Sequence, residues 1–279
     1  MKNLIIRALS GAVYVALIVC SILLGGKWGF PVLCCLFTLI GIFEFQKMTR
    51  ADIHESPFLL LNDILIGVSF SALIIFQNLE AAGYLVATQI LITILVPVRV
   101  IAQLYSHSKD PLRHISLSIM SIAYVAVPLS AAALLTTNKP ILLLMFAMIW
   151  LNDTGAYLVG SAIGSHRLFP RHSPKKSWEG FFGGVAFSIA AAYLAKTFIP
   201  TYFSENSLVM LIIYAVLVSI TSTWGDLFES MLKRAVGVKD SGNLIPGHGG
   251  ILDRIDSLLF VAPTTLLFLS ASFAFIYIN

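Results

Sequence analysis

Charge is scarce in this sequence. Asp, Glu, Lys and Arg make up 11% of its 279 residues, and apolar residues make up 58%. Soluble domains carry roughly 25% charged residues, so there are too few water-facing groups here to cover a soluble surface. Mean hydropathy is +0.88. The net charge of +4 is modest, and nucleic acid is not an expected partner. Cysteine is nearly absent too. Cys20, Cys34 and Cys35 lie in apolar stretches without zinc-ligand spacing or a nearby histidine, which leaves them as packed or lipid-facing thiols. No internal repeat, low-complexity tract or soluble domain is visible. What fills the chain is long apolar runs, and a bilayer accepts these in spans of roughly 20 residues.

Hydrophobic length and the Gly, Pro and charge breaks predict about nine spans, near 4–24, 28–46, 57–77, 81–104, 115–136, 140–163, 178–199, 206–234 and 251–277. The expected fold is therefore an all-α, polytopic integral membrane protein. Residues 110–114 read as interfacial. The first span has a charged start but no small-residue cleavage site leading to a soluble domain, so it is expected to be a retained helix. With nine spans, 15 of the 18 Lys and Arg fall on one face, and only Lys27, Lys139 and Lys196 fall on the other. The positive-inside rule places the rich face, and with it the N-terminus, in the cytoplasm. The two longest polar loops, 164–177 and 235–250, share that face. Residues 1–140 form an N-terminal region of apolar helix with few chemical groups. Residues 141–279 hold nearly all the polar signals and form the expected catalytic region.

Acidic residues carry most of the chemical information. Of the 14, Asp226, Glu229, Asp240, Asp253 and Asp256 cluster late, preceded by Asp153. A carboxylate at membrane depth costs roughly 2.5–3.5 kcal/mol on insertion scales, so it is kept when paired, metal-bound or lining a wet cavity. Asp226 with Glu229, and Asp253 with Asp256, stand at i and i+3, so each pair shares a helix face. Hard oxygen ligands of this kind suit Mg²⁺, which takes one or two carboxylates plus substrate phosphates. Structural salt bridges to Lys233, Arg234 and Arg254 are the competing reading. Between the pairs lie glycines 242, 247, 249 and 250, which free the backbone to approach a ligand. Gly249 and Gly250 lead into a helix start, a natural phosphate seat. The other loop carries Lys175 and Lys176, just before Trp178, as anchors or phosphate contacts. Asn152 and Asp153 lie inside an apolar span and mark a candidate intramembrane site.

The segments Ser230-Met231-Leu232-Lys233-Arg234, Lys239-Asp240 and Pro246-Gly247-His248-Gly249-Gly250-Ile251-Leu252-Asp253-Arg254-Ile255-Asp256 together resemble the signature of the phosphatidate cytidylyltransferase family. Asn152 to Tyr157 and Ser173 to Gly180 resemble it in the same order, and Ser177, where relatives often have Thr, keeps a hydroxyl. The match covers roughly 150–257. It implies a multi-helix membrane enzyme, expected as a homodimer in a bacterial inner membrane with its active site facing the cytoplasm. The implied reaction condenses CTP with phosphatidic acid to give CDP-diacylglycerol and pyrophosphate, with Mg²⁺ alone or with a second cation.

Within that reaction Asp226, Asp253 and Asp256 are expected to bind metal, with Glu229 and Asp153 behind them. Lys239 and His248 join the three aspartates as expected catalytic groups, although His248 could equally brace the glycine turn. Lys175, Lys176, Lys233, Arg234, Lys239 and Arg254 are candidate phosphate contacts, among which Lys175, Lys239 and Arg234 are favoured. Asn152, Asp153, Gly249 and Gly250 complete the expected substrate-binding set. An ion-coupled transporter would show broken helices in two repeated halves, and these halves are dissimilar. A prenyltransferase would need Asn-Asp-x-x-Asp, but Ala156 stands at the last position. The paired-aspartate arrangement of a CDP-alcohol phosphotransferase is missing as well. A CTP-dependent lipid-alcohol kinase stays open, separated by its product: CDP instead of pyrophosphate.

Overall fold

In hydrocarbon every backbone N–H and C=O must be satisfied within the protein, and long apolar runs achieve this as helices. The computed structural model describes residues 2–50, 56–78, 82–106, 108, 110–203, 207–245 and 249–278. Its elements, in chain order, are α1 (Lys2–Leu23), α2 (Gly29–Thr49), α3 (Pro57–Asn78), α4 (Ala82–Leu104), α5 (Pro111–Ser121), a π turn (Ile122–Ala126) and α6 (Val127–Leu134). After a 3-10 turn (Leu135–Asn138) come α7 (Lys139–Ile163), β1 (Arg167–Phe169), β2 (Ser173–Ser177), α8 (Trp178–Phe198), α9 (Pro200–Phe203), α10 (Leu208–Ala235) and α11 (Leu252–Ile278). The chain is an all-α integral membrane protein. Among the described residues seven helical stretches are long and apolar enough to cross a membrane, and Leu9–Leu23 forms a shorter apolar one.

The expected nine spans differ from these seven mainly at Pro111–Ile163, which is a single 53-residue stretch by hydropathy. As one straight helix it would be about 80 Å long, against a hydrocarbon core of about 30 Å. The backbone divides it. Asn138 leaves the helical region at φ −123° and ψ 75°, its side chain accepts from Ile141 N, and a proline opens the next helix. Upstream, the stretch read as interfacial supplies the start of α5: Asp110 caps it by accepting from Arg113 N.

The residues form two compact units. The first comprises 1–137 with 236–255, and the second 138–235 with 256–279. Residues 236–255, which include most of the polar loop 235–250 and the start of α11, thus belong with the N-terminal helices. In the first unit α2 packs on α3 and α6, and α3 on α4. A polar cluster lies inside. Asp63, fully buried, accepts from Arg50 Nη2 at 3.2 Å, Arg99 Nε at 2.8 Å, Ser118 Oγ at 2.6 Å and Gln46 Nε2 at 2.9 Å. Arg50 and Arg99, two of the 15 basic residues assigned above to one face, are therefore interior partners of an aspartate.

In the second unit α7 and α8 pack along glycines. A Cβ on Gly155 would lie 2.7 Å from Gly183 O, and one on Gly183 would lie 2.6 Å from Val159 Cβ. Small residues allow such close approach. We expect Gly183→Val to destabilise the protein by about 1–3 kcal/mol through overpacking. A thermal midpoint in detergent equal to wild type would contradict this. On α10, Ser219 donates to Ser188 of α8 at 2.9 Å. Gly225 opens the contact with α11, where its Cβ would meet Asp256 O at 2.8 Å. Residues 164–177, read as a polar loop, contain an antiparallel hairpin, with Arg167 opposite Ser177 and Phe169 opposite Ser173. Ser177 then caps α8 by accepting from Gly180 N.

Candidate active site

A cavity of about 560 Å³ lies within the second unit. Asn152, Asp153, Ala156, Tyr157, Gly160 and Ser161 recur at helical spacing and form the α7 wall. The hairpin adds Arg167, Leu168, Lys175, Lys176 and Ser177, α8 adds Gly180 and Phe181, and α10 adds Thr223 and Asp226. The hairpin is fastened where it meets α8. Trp178 N donates to His166 O at 2.9 Å, and Glu179 accepts from His166 N at 3.1 Å. Two lysines and an arginine are thereby aimed into a space that also holds two carboxylates.

The central contact is Lys176 Nζ with Asp226 Oδ2 at 2.8 Å. The same ammonium donates to Thr223 O at 3.3 Å, and Ser230 Oγ donates to Asp226 Oδ1 at 3.2 Å. Asp256, on α11, lies within electrostatic reach of Asp226, Glu229 and Asp153, and its Oδ1 accepts from Ser257 N. Four acids thus share one neighbourhood, against Lys176 at Asp226 and Lys233 at Glu229, 2.8 Å away. The salt-bridge reading therefore describes Glu229 and Lys233. The partner of Asp226 is a hairpin lysine that sequence spacing did not suggest.

Other candidates occupy different settings. Lys175 is exposed and lines the cavity, and its carbonyl accepts from Arg167 Nη1 at 3.5 Å. Asn152 is buried, and Nδ2 donates to Ser222 Oγ at 3.5 Å. Its Oδ1 has no hydrogen-bond donor and faces Gly184, where a Cβ would stand 2.5 Å away. Arg234 is exposed at the end of α10.

Lys239, Gly249, Gly250, Asp253 and Arg254 belong to the first unit. There Lys239 and Arg254 are exposed, and Arg254 O accepts from Tyr14 Oη at 2.9 Å. Asp253 Oδ2 accepts from Ser241 N at 2.9 Å, Ser241 Oγ at 3.0 Å and Gly250 N at 2.8 Å. Ile251 N and Leu252 N each donate to Glu44 at 3.0 Å. The helix start read as a phosphate seat thus has three successive N–H groups already engaged by carboxylates. Gly249 adopts φ +81°, a conformation suited to glycine. His248 lies outside the described residues.

Asp226, Asp253 and Asp256 were grouped as metal ligands. The structure places Asp226 and Asp256 in the second unit and Asp253 in the first. Among the described residues no three His, Cys, Asp or Glu side chains enclose a metal position. Sequence reasoning missed Arg167, Tyr157, Ser161 and Thr223 at the cavity. It also passed over Glu44, although the cost of a lone acid in an apolar span, applied above to Asp153, applies equally there.

The sequence profile of the cytidylyltransferase family matches residues 5–272. Curated relatives agree with it. A phosphatidate cytidylyltransferase of Staphylococcus epidermidis is 34% identical over 256 residues, covering 90% of this chain and 94% of its own. One of Haemophilus influenzae is 34% identical over 286 residues, covering 92% and 95%. One of Staphylococcus saprophyticus reaches 43% over 148 residues, covering 52% and 55%. A match along nearly its whole length, over helices that carry a cavity of paired lysines and carboxylates, makes this chain a member of the cytidylyltransferase family.

Proposed function

We propose that this nucleotidyltransferase condenses CTP with phosphatidic acid. A phosphate oxygen of the lipid attacks the α-phosphorus of CTP. The bond from that phosphorus to the β-phosphate oxygen breaks, so CDP-diacylglycerol forms and pyrophosphate leaves. The observation that carries the reading is the cavity in which Lys175, Lys176 and Arg167 stand with Asp153 and Asp226. Its volume suits a nucleotide-sized ligand, and the substrate names come from the relatives above.

A phosphomonoester with a second pKa near 6 is largely ionised at neutral pH, so the attacking group needs no general base. The obstacle is repulsion between two anions. Lys175 and Arg167 are placed to bind phosphate oxygens. Lys176, already drawn to Asp226, can share its ammonium with an incoming phosphate and hold it in register. The residues also fit Mg²⁺: an all-oxygen anionic set can supply the one or two carboxylates this ion takes beside substrate phosphates. Asp226 and Asp256 would hold it, and when bound it would offset charge on the nucleotide and on the departing pyrophosphate. Asp253, with Oδ2 engaged by three donors, serves the glycine loop in this reading.

The basic asymmetry of the sequence supports an active site facing the cytoplasm, in the inner membrane of a bacterium, and the chain is read as a homodimer. Purified protein in phosphatidate-containing micelles with Mg²⁺ is expected to release pyrophosphate only when CTP is present. Release of CDP instead would overturn the reading in favour of phosphoryl transfer. Lys175→Ala is expected to raise the KM for CTP roughly tenfold or more, since a hydrogen bond to a charged group is worth about 1.5–3 kcal/mol. Unchanged kinetics would return Lys175 to the role of a surface anchor.

A further inference from the structure

Glu44 is the single acid of α2, and it is 5% exposed. Its carboxylate is fully occupied by a segment some two hundred residues later. Oε1 accepts from Ile251 N at 3.0 Å, while Oε2 accepts from Leu252 N at 3.0 Å and Ser241 Oγ at 3.2 Å. Ser241 is in turn bonded to Asp253 through both its N and its Oγ. Glu44, Ser241 and Asp253 thus tie the beginning of the loop to the helix start that ends it.

The neighbouring glycines fit the same arrangement. A Cβ on Gly242 would stand 2.7 Å from Glu44 Oε1, and one on Gly250 would run into both Glu44 Oε2 and Ser241 Oγ. These two glycines leave room for a carboxylate of the protein itself. A carboxylate at a helix N-terminus would stabilise that helix wherever it stood. Here, however, it also holds Ser241 and abuts Gly242, which lie outside α11, so what it constrains is the loop.

We infer that Glu44 is a positioning residue for cytidylyl transfer, holding Ser241, Gly242 and Gly250–Asp253 in the arrangement from which Lys239 acts. The inference rests on the proposed cytidylyl transfer and on the expectation, implied by the family resemblance, that Lys239 takes part in it.

Glu44→Gln keeps the size of the side chain but turns an acceptor into a donor facing N–H groups. In this variant we expect kcat to fall about tenfold or more, as small misplacements near reacting groups do. The KM for CTP should stay within about threefold, because Lys175 and Lys176, the lysines that line the cavity, are untouched. Amide hydrogen exchange over 241–252 should accelerate. Wild-type kcat or unchanged exchange would overturn the inference.

A second test avoids dependence on that variant folding. Gly242→Ala should lower kcat in the wild-type background and cost less than about twofold more in a Glu44→Ala background, where the obstruction is gone. An equal cost in both backgrounds would refute the brace. If the wild-type protein releases no pyrophosphate from CTP, the proposed function fails, and the exchange measurement alone decides whether Glu44 shapes the loop.

Discussion

Asp226→Asn is expected to reduce CTP-dependent pyrophosphate release by about 10²–10³-fold, the loss typical of removing one preorganised electrostatic contact from a reacting centre. The change is isosteric, and the remaining oxygen can still accept from Ser230. What disappears is the negative charge that faces Lys176 at 2.8 Å and completes the acidic group with Asp256, Glu229 and Asp153. Two roles for that charge can be separated. If Asp226 only orients Lys176, then Lys176→Met should already cost the full amount, and adding Asp226→Asn should cost nothing more. If Asp226 also holds Mg²⁺, the single Asp226→Asn variant should need a higher Mg²⁺ concentration for half-maximal rate than Lys176→Met does. An Asp226→Asn enzyme within about tenfold of wild type would remove Asp226 from the chemistry.

The second large effect concerns stability. Asp63→Ala is expected to cost about 3–5 kcal/mol, because removing one member of a buried ion cluster strands its partners in a medium that cannot solvate them. The stranded groups are Arg50 and Arg99, at 5% and 7% side-chain exposure, both held on the two oxygens of Asp63. A denaturant titration in mixed micelles would measure the loss, and activity per folded molecule should be preserved. Replacing Asp63, Arg50 and Arg99 together with apolar residues of similar volume should recover much of it, since such exchanges are often neutral or stabilising. A stability unchanged in Asp63→Ala would mean that water reaches the cluster.

The helices were legible because a bilayer demands them: runs such as Leu208–Ala235 have no alternative way to satisfy their backbones. Asp226 and Asp256 were legible through the rarity of acids. Their surroundings were not. The match of Lys176 with Asp226 joins residues fifty positions apart through a hairpin whose irregular register leaves no periodic trace. Gly242 and Gly250 were read as freeing the backbone to approach a ligand, whereas each abuts the carboxylate of Glu44 in α2, a helix that looked chemically empty because its one acid is a single letter in an apolar run. Local pattern reveals which groups are too costly to be accidental. Which groups they meet is settled by tertiary packing.

The bond from Leu252 N to Glu44 spans 208 residues of sequence, and this bears on how the protein is made. Ribosomes add roughly 5–20 residues per second. For roughly 10–40 s after α2 emerges, its carboxylate therefore waits for the donors that will receive it, while every helix of the second unit up to α10 is synthesised in between. The first unit is completed only after α7 to α10 of the second unit have been made. During that interval the membrane-insertion machinery must hold a carboxyl side chain that hydrocarbon rejects.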